Sequence, residues 1–335
     1  MAAFDPGDDW HPSIPTDIPS APSVDIDFDS LEGLDRIGSG GNADVYRATV
    51  TQDGVTHEIA IKQPRFDSTM HIETLDRFSS EAETWDKLDD HPHIVGVIDW
   101  GIEPVPWLGM EYMDGGHLGH RRLPLDLSEA LWLGQSLCRA VRHAHRRGVA
   151  HLDLKPANVL FRETGPDRWS APKIGDWGLS KLLLEHSSTV TGYSPTYAAP
   201  EQVDPDTYGG ADDFTDIYQV GAVLYEALVG DPPFSGSQPA VIRAILEETP
   251  VAPSDRNRDL PETIDSIVLS ALAKDKQDRP ASIIHLREAL DAVIGDRGET
   301  DSSQPKHAII GAATRTGIPS GEPERKGDPT EEASI

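Results

Sequence analysis

Apolar residues change their spacing part-way along the chain, and that change limits the fold to two unlike halves. From about Leu34 the apolar runs are short and β-like: Leu34-Asp35-Arg36-Ile37, Asp44-Val45-Tyr46-Arg47-Ala48 and Glu58-Ile59-Ala60-Ile61-Lys62. A helix follows, with Leu75, Phe78, Ala82, Trp85 and Leu88 near a 3.6-residue period. Two more strand-like runs come next, Ile94–Trp100 and Trp107–Met113. Beyond Ser128 the pattern is helical. Ser128 is expected to cap a helix bearing Leu131, Leu137, Val141 and Ala144 on one face. Asp216–Val229 is apolar on nearly every side and reads as a buried central helix. Shorter helices are expected near Glu262–Ala273 and Ala281–Ile294. The expected class is α+β: a β-rich lobe over about 34–113, a helical lobe over about 114–294, and a cleft between them. Residues 1–33 hold five prolines and eight acidic residues with no Lys or Arg, and are expected to be a disordered lead-in. Residues 295–335 are expected to form a flexible tail.

Charge narrows the function. Among 335 residues, 29 Lys+Arg stand against 57 Asp+Glu, a formal net charge of −28, and phosphate backbones would be repelled. No nucleic-acid partner is expected. The longest apolar runs, such as Val220–Leu224, fall far short of the ~18 residues a membrane span needs. The first residues carry no basic flank or apolar stretch, so no signal peptide, no membrane partner and a cytoplasmic location are expected. A single cysteine, Cys138, excludes an intrachain disulfide. The acidity comes from 36 Asp and 21 Glu against 20 Arg and only 9 Lys. Such a surface suits concentrated salt, where the Debye length falls to about 3 Å at 1 M and self-repulsion is screened. An acidic cytosolic protein is the plainer reading. Because the excess runs through the whole chain, a halophilic archaeal source is expected.

Three segments carry chemistry. Gly38-Ser39-Gly40-Gly41-Asn42-Ala43-Asp44-Val45 can bring backbone N–H groups close to phosphate oxygens. The run after it looks like a strand and not a helix, which excludes a dinucleotide fingerprint, and no Gly-Lys-Ser/Thr follows. In Ala60-Ile61-Lys62, a lysine ending an apolar strand can reach a phosphate as a point charge. Glu81 on the following helix is its expected partner, in preference to Glu83, since Glu81 shares the face of Phe78, Trp85 and Leu88. Finally, His151-Leu152-Asp153-Leu154-Lys155-Pro156-Ala157-Asn158 packs a carboxylate, an ammonium and a carboxamide into six residues.

This octapeptide resembles the catalytic loop of the eukaryotic-type (Hanks-type) protein kinases, in their prokaryotic Ser/Thr branch. The resemblance covers about 34–294 and implies a protein-kinase-like two-lobed fold. It implies that Asp153 accepts the substrate hydroxyl proton, Lys155 steadies the γ-phosphate and Asn158 ligates Mg²⁺. Asp176-Trp177-Gly178 stands where the family has Asp-Phe-Gly, which makes Asp176 the second metal ligand. Ala199-Pro200-Glu201 ends the activation segment, Asp216 resembles the aspartate that anchors the catalytic loop, and Arg279 resembles the partner of Glu201. By the same likeness ATP is held by Ile37, Gly38, Ser39, Gly40, Gly41, Val45, Ala60, Lys62 and Glu81. The hinge is Met110-Glu111-Tyr112-Met113, with Met110 as gatekeeper and backbone groups near Glu111 and Met113 reaching the adenine. The implied activity is ATP- and Mg²⁺-dependent phosphorylation of protein Ser/Thr hydroxyls in signalling, the chain itself included. Two rivals are a pseudokinase scaffold or nucleotide sensor, and a small-molecule kinase. The presence of Lys62, Glu81, Asp153, Asn158 and Asp176 opposes the first; Glu201 and Arg279, which shape a peptide-docking segment, oppose the second.

Some residues invite other readings. His143 and His145 are two apart on a helix and diverge, so they do not grip one ion. Cys138 reads as core. Arg121-Arg122 and Arg146-Arg147 read as solvated surface. Four positions depart from the family pattern without removing a catalytic group: Trp177 for Phe, Ser194 for Thr, Ala43 for the third loop glycine, and Asn42 for an aromatic tip. The departure with a consequence is Leu152, which stands where many kinases place the arginine that meets an activation-segment phosphate. Replacing Ser187, Ser188, Thr189 and Thr191 by Ala is therefore expected to leave most transfer activity intact. A loss beyond about tenfold, or ~1.4 kcal/mol of barrier, would contradict this.

Overall fold

The computed structural model describes residues 13–39, 43–65, 72–88, 91–177 and 195–301, apart from the side chains at 72–74, 77, 81 and 294–301. Five antiparallel strands form the first lobe: β1 (Glu32–Ser39), β2 (Ala43–Gln52), β3 (Val55–Pro64), β4 (Val97–Gly101) and β5 (Trp107–Glu111), in the spatial order β1-β2-β3-β5-β4. The β2–β3 hairpin closes over Asp53-Gly54, both with positive φ (52° and 78°), as a two-residue turn demands. Helix α1 (Ile72–Asp86) lies between β3 and β4 and buries Phe78, Ala82 and Trp85.

Alternation along β3 gives the sheet two apolar faces. Ala60 belongs to the main core with Val97, Leu108 and Met110. Ile59 and Ile61 point the other way, into a cluster with Ala48, Val50, Trp107, Val24 and Ile26. Val24 and Ile26 come from the stretch expected to be disordered. Residues 13–31 are instead laid against the domain, because the second face of the sheet needs an apolar cover and this acidic segment carries Val24, Ile26 and Phe28 among its charges. Residues 1–12 and 302–335 lie outside the described residues.

The second lobe is built on α2 (Leu127–His145) and α5 (Asp213–Val229). Between them come β6 (Val159–Arg162) and β7 (Ala171–Ile174), which pair with each other, and the short helices α3 (Pro200–Val203) and α4 (Pro205–Tyr208). Then follow α6 (Gln238–Glu247), α7 (Pro253–Arg256), α8 (Thr263–Ala271) and α9 (Ile283–Asp301). The cap of α2 is Asp126 and not Ser128, which lies inside the helix. Helix α9 runs seven residues past the expected Ile294. Helix α6 and the β6–β7 pair were not expected at all; four-residue strands are too short to show a period. Helix α5 starts at Asp213, with Asp212 and Thr215 in a reciprocal capping box, and ends on Gly230 at φ 94°. It is buried through Thr215–Tyr225, as its apolar sequence implies. Gly221 lets α8 approach, since a Cβ there would lie 2.7 Å from that of Ala271. Arg121 is not solvated surface: its guanidinium sits 3.7 Å from the Phe161 ring centroid and bonds Glu129 and Ser170.

A buried ion pair fixes the base of this lobe. Arg279 donates to both oxygens of Glu201 at 2.8 and 2.7 Å, and both side chains are fully buried. The carbonyls of Phe214, Ala273 and Lys274 accept its remaining N–H groups, and the Thr215 hydroxyl donates to Glu201. Burial raises the Glu201 pKa, but the Arg279 hydrogen bonds and charge outweigh it and hold the carboxyl below its usual value. Removing one partner strands the other charge. Arg279→Met is expected to lower stability by about 3–5 kcal/mol in urea unfolding, and a cost below about 1 kcal/mol would refute the assignment.

Candidate active site

Each lobe supplies part of one cluster. From the sheet, Lys62 ends the inward run of β3, opposite Val45 on β2 and Leu108 on β5; Ala60 stands opposite Met110. Lys62 is only 7% exposed, and its Nζ lies 3.1 Å from Asp176 Oδ1. Gly38 and Ser39 pair with Val45 and Asp44, with Ile37 half-exposed beside them. Arg65 closes this hairpin by donating to Asp44 at 3.0 and 2.6 Å and to the Ser39 hydroxyl. Gly40 and Gly41 at the hairpin tip lie outside the described residues, as do the side chain of Glu81, Gly178 and the segment holding Ser187–Ser194. The expected Lys62–Glu81 contact therefore has no structural account.

The loop between α2 and β6 carries the other half. Lys155 Nζ is 2.7 Å from Asp153 Oδ2. Asn158 donates from Nδ2 to the Asp153 carbonyl at 2.8 Å. Asp176 follows β7 in a left-handed conformation (φ 60°), and Leu152 shares it (φ 61°), so both turns are held against local preference. His151 links them. Its Nδ1 accepts the Asp153 N–H at 3.3 Å, which leaves Nε2–H to donate to the Gly175 carbonyl at 2.9 Å. Trp177 is fully buried, donates to the Ile174 carbonyl at 3.0 Å and sets its ring edge-on to His151.

The loop is hung from α5. Asp216 is fully buried and accepts from the backbone N–H of His151 (2.8 Å) and Leu152 (2.7 Å) and from His145 Nε2 (2.8 Å). Gln219, one turn on, accepts the Leu154 N–H at 2.8 Å and donates to the Leu152 carbonyl. Gln202 on α3 donates to that same carbonyl at 2.7 Å. Sequence reasoning missed Gln202, Gln219 and His145. A signal existed: Asp216 and Gln219 are polar residues three apart, on one face, in a mostly apolar helix.

Met110 and Met113, expected at the hinge, are each 7% exposed. The Glu111 carboxylate accepts the Gly96 N–H at 2.8 Å and pairs with Lys173 at 2.7 and 2.8 Å. Its side chain thus ties β5 to β7 and to the turn before β4.

Burial pushes the Asp176 pKa up, yet the Lys62 ammonium and its hydrogen bond, aided by His151 and Lys155, hold it below the ordinary carboxylate value. The site suits a hard cation. Asn158 uses its amide nitrogen on Asp153, which leaves Oδ1 to a metal, and Asp176 offers carboxylate oxygen. Mg²⁺ asks for one or two protein oxygens plus substrate phosphates. Among the described residues there is no group of three or more His, Cys, Asp or Glu able to hold a metal alone.

Residues 31–291 match the protein kinase domain family. The chain belongs to that family. It is 32% identical over 276 residues to the serine/threonine-protein kinase PknB of Mycobacterium tuberculosis, covering 78% of this chain and 42% of PknB. It is 34% identical over 258 residues to a probable serine/threonine-protein kinase of Corynebacterium efficiens, covering 72% and 38%. The chain thus spans about two fifths of the length of these relatives. Among solved structures, a doubly substituted PknI kinase domain of M. tuberculosis superposes with a TM-score of 0.59 at 24% identity, over 81% of this chain and 98% of that domain. This likeness bears out the two-lobed fold. No helix among the described residues is long and apolar enough to cross a membrane.

His145 supplies a pH test of the loop anchor. Burial lowers its pKa, but the hydrogen bond and charge of Asp216, with Asp213 and Asp212, raise it above 6.5 overall. A raised folded pKa stabilises fully below the unfolded value and is lost as pH rises through the folded one. The stability advantage of wild type over His145→Gln is expected to be larger near about pH 6 than near about pH 9. An advantage that does not change with pH would refute the charged contact.

Proposed function

We propose that this chain is an ATP- and Mg²⁺-dependent kinase that transfers the γ-phosphate of ATP to Ser/Thr hydroxyls of proteins, itself included, in signalling. The observation that carries this reading is that Lys62 from the sheet pairs with Asp176 at 3.1 Å, while Asp153 holds Lys155 and Asn158 at 2.7 and 2.8 Å and the Asn158 carbonyl accepts the N–H of Gly175, next to Asp176, at 3.0 Å. Phosphoryl transfer needs positioning and charge neutralisation more than covalent help. Lys62, fixed on Asp176, is set to meet the inner phosphates. Asp153, held by Asp216 through the loop backbone, is set to take the proton as the acceptor oxygen bonds the γ-phosphorus and ADP leaves. Lys155 bridges Asp153 and the transferred group. Asn158 and Asp176 would hold Mg²⁺, which supplies the charge that offsets the phosphate oxygens. Val45, Ala60 and Met110 would line the adenine slot, with Ile37, Gly38, Ser39, Gly40 and Gly41 above the phosphates, Glu81 positioning Lys62, and backbone of Glu111 and Met113 bonding the base. By the family resemblance, a lysine two residues past Asp153 points to Ser/Thr and not Tyr acceptors. The domain would occupy about 34–294, in the cytoplasm, and the even acid excess supports work in concentrated salt.

The test is transfer of labelled γ-phosphate to a generic protein acceptor at high KCl. Asp153→Asn is expected to lower kcat by about 10²–10⁴, and Lys62→Ala and Asp176→Asn should also lose transfer. Equal incorporation by wild type and all three variants would overturn the reading in favour of a binding module.

A further inference from the structure

Residues 13–31 take no part in the chemistry above, yet they touch both lobes. At the helical lobe, Ser13 bridges Arg168: its N–H donates to the Asp167 carbonyl and its carbonyl accepts from Trp169, both at 3.1 Å. Arg168 also donates to the Thr16 hydroxyl at 2.8 Å. At the sheet, Val24 and Ile26 are buried against Ile59, Ile61 and Trp107, and Phe28 lies 5.7 Å from the Trp107 ring. A Cβ on Gly109, next to the gatekeeper Met110, would overlap Ile26 Cδ1, so the segment rests on the strand that leads into the hinge. The Asp25 N–H bonds Gln52 Oε1 at 2.9 Å.

Between these anchors the Pro19 carbonyl accepts from Lys173 Nζ at 2.7 Å. The same ammonium holds both oxygens of Glu111, and all of this lies behind the hinge with Glu111 3% and Lys173 1% exposed. Lys173 stands three residues before Asp176, and Glu111 follows Met110. One backbone carbonyl of the segment thus bears on a buried junction that joins the hinge to the strand carrying Asp176.

The geometry points to residues 13–31 as an interlobe strap that positions the two halves of the active site for phosphoryl transfer. This rests on the kinase reading above. The stretch from Thr16 to Val24 includes Pro19 and Pro22, and its eight residue-to-residue steps, at about 3.1 Å each in an extended Pro-rich conformation, reach no more than ~25 Å. A tether of that length limits how far the lobes can part. Cutting it enlarges the open population and lowers apparent nucleotide affinity by the fraction no longer closed.

Two variants cut the strap at different ends. Deleting residues 1–16 removes the exposed anchor on the helical lobe and leaves Pro19, Val24 and Ile26 in place. Val24→Asp with Ile26→Asp releases the sheet anchor. In each, the KM for ATP and the Kd of a non-hydrolysable ATP analogue are expected to rise by at least about fivefold. Amide exchange at 94–98 and 107–113 should quicken, while kcat with saturating ATP changes less than KM. If both variants keep wild-type KM, Kd and hinge exchange, and only the melting temperature falls, the segment is a passive cover and the strap is refuted. If wild type itself transfers no phosphate, the kinase reading fails, and analogue affinity and hinge exchange still decide the strap.

Discussion

The arrangement depends on one buried carboxylate. Asp216 sits in the first turn of a buried, largely apolar helix and collects two backbone N–H groups from the loop after α2 and the His145 imidazole from the end of α2. An unpaired buried carboxylate would be strongly unfavourable. The loop therefore has to stay where it can supply those donors. This is why Leu152 can remain in a left-handed conformation, and why Asp153, one residue on, keeps a defined position relative to Asn158 and Asp176. Gln219 and Gln202 extend the same device to Leu154 and to the Leu152 carbonyl.

Charge placement follows a similar logic. The chain carries a net charge of −28, so its long-range field repels a nucleotide. Against that field stand two ammonium groups at the cleft, each within 3.1 Å of a carboxylate it also orients: Lys62 on Asp176 and Lys155 on Asp153. Pairing holds both lysines in place before any ligand arrives, and Lys62 keeps the Asp176 carboxyl below its ordinary pKa. The local order of charge, more than its total, decides what the cleft can hold. A further salt-bridged lysine pair, Lys173 with Glu111, lies apart from these two and binds β5, β7 and the N-terminal segment into one unit.

Much of the site was legible before any coordinates. Gly38, Lys62, Asp153, Asn158 and Asp176 stand in sequence motifs of the residue types that phosphate and metal binding would call for. The two-lobed division was legible from the apolar period, and Glu201 with Arg279 from family order. Less legible was everything that acts by support. Gln202 and Gln219 look like ordinary polar residues until the Leu152 and Leu154 backbone is placed beside them. Arg121 looks solvated until Phe161 lies under it. Residues 13–31 read as disordered by composition, because prolines and aspartates dominate a count that gives no weight to where Val24 and Ile26 fall.

The sequence by itself determined the class of fold and picked out the residues proposed for the chemistry, since motif residues and apolar periods are local properties written along the chain. The tertiary structure decided which uncommitted residues hold those motifs still. It alone set Pro19 against Lys173, Ile26 against Gly109 and Gln219 against the catalytic loop, because these contacts join segments tens of residues apart. Burial and hydrogen-bond completion, the two forces that select such partners, act on the surface left exposed once the elements have packed.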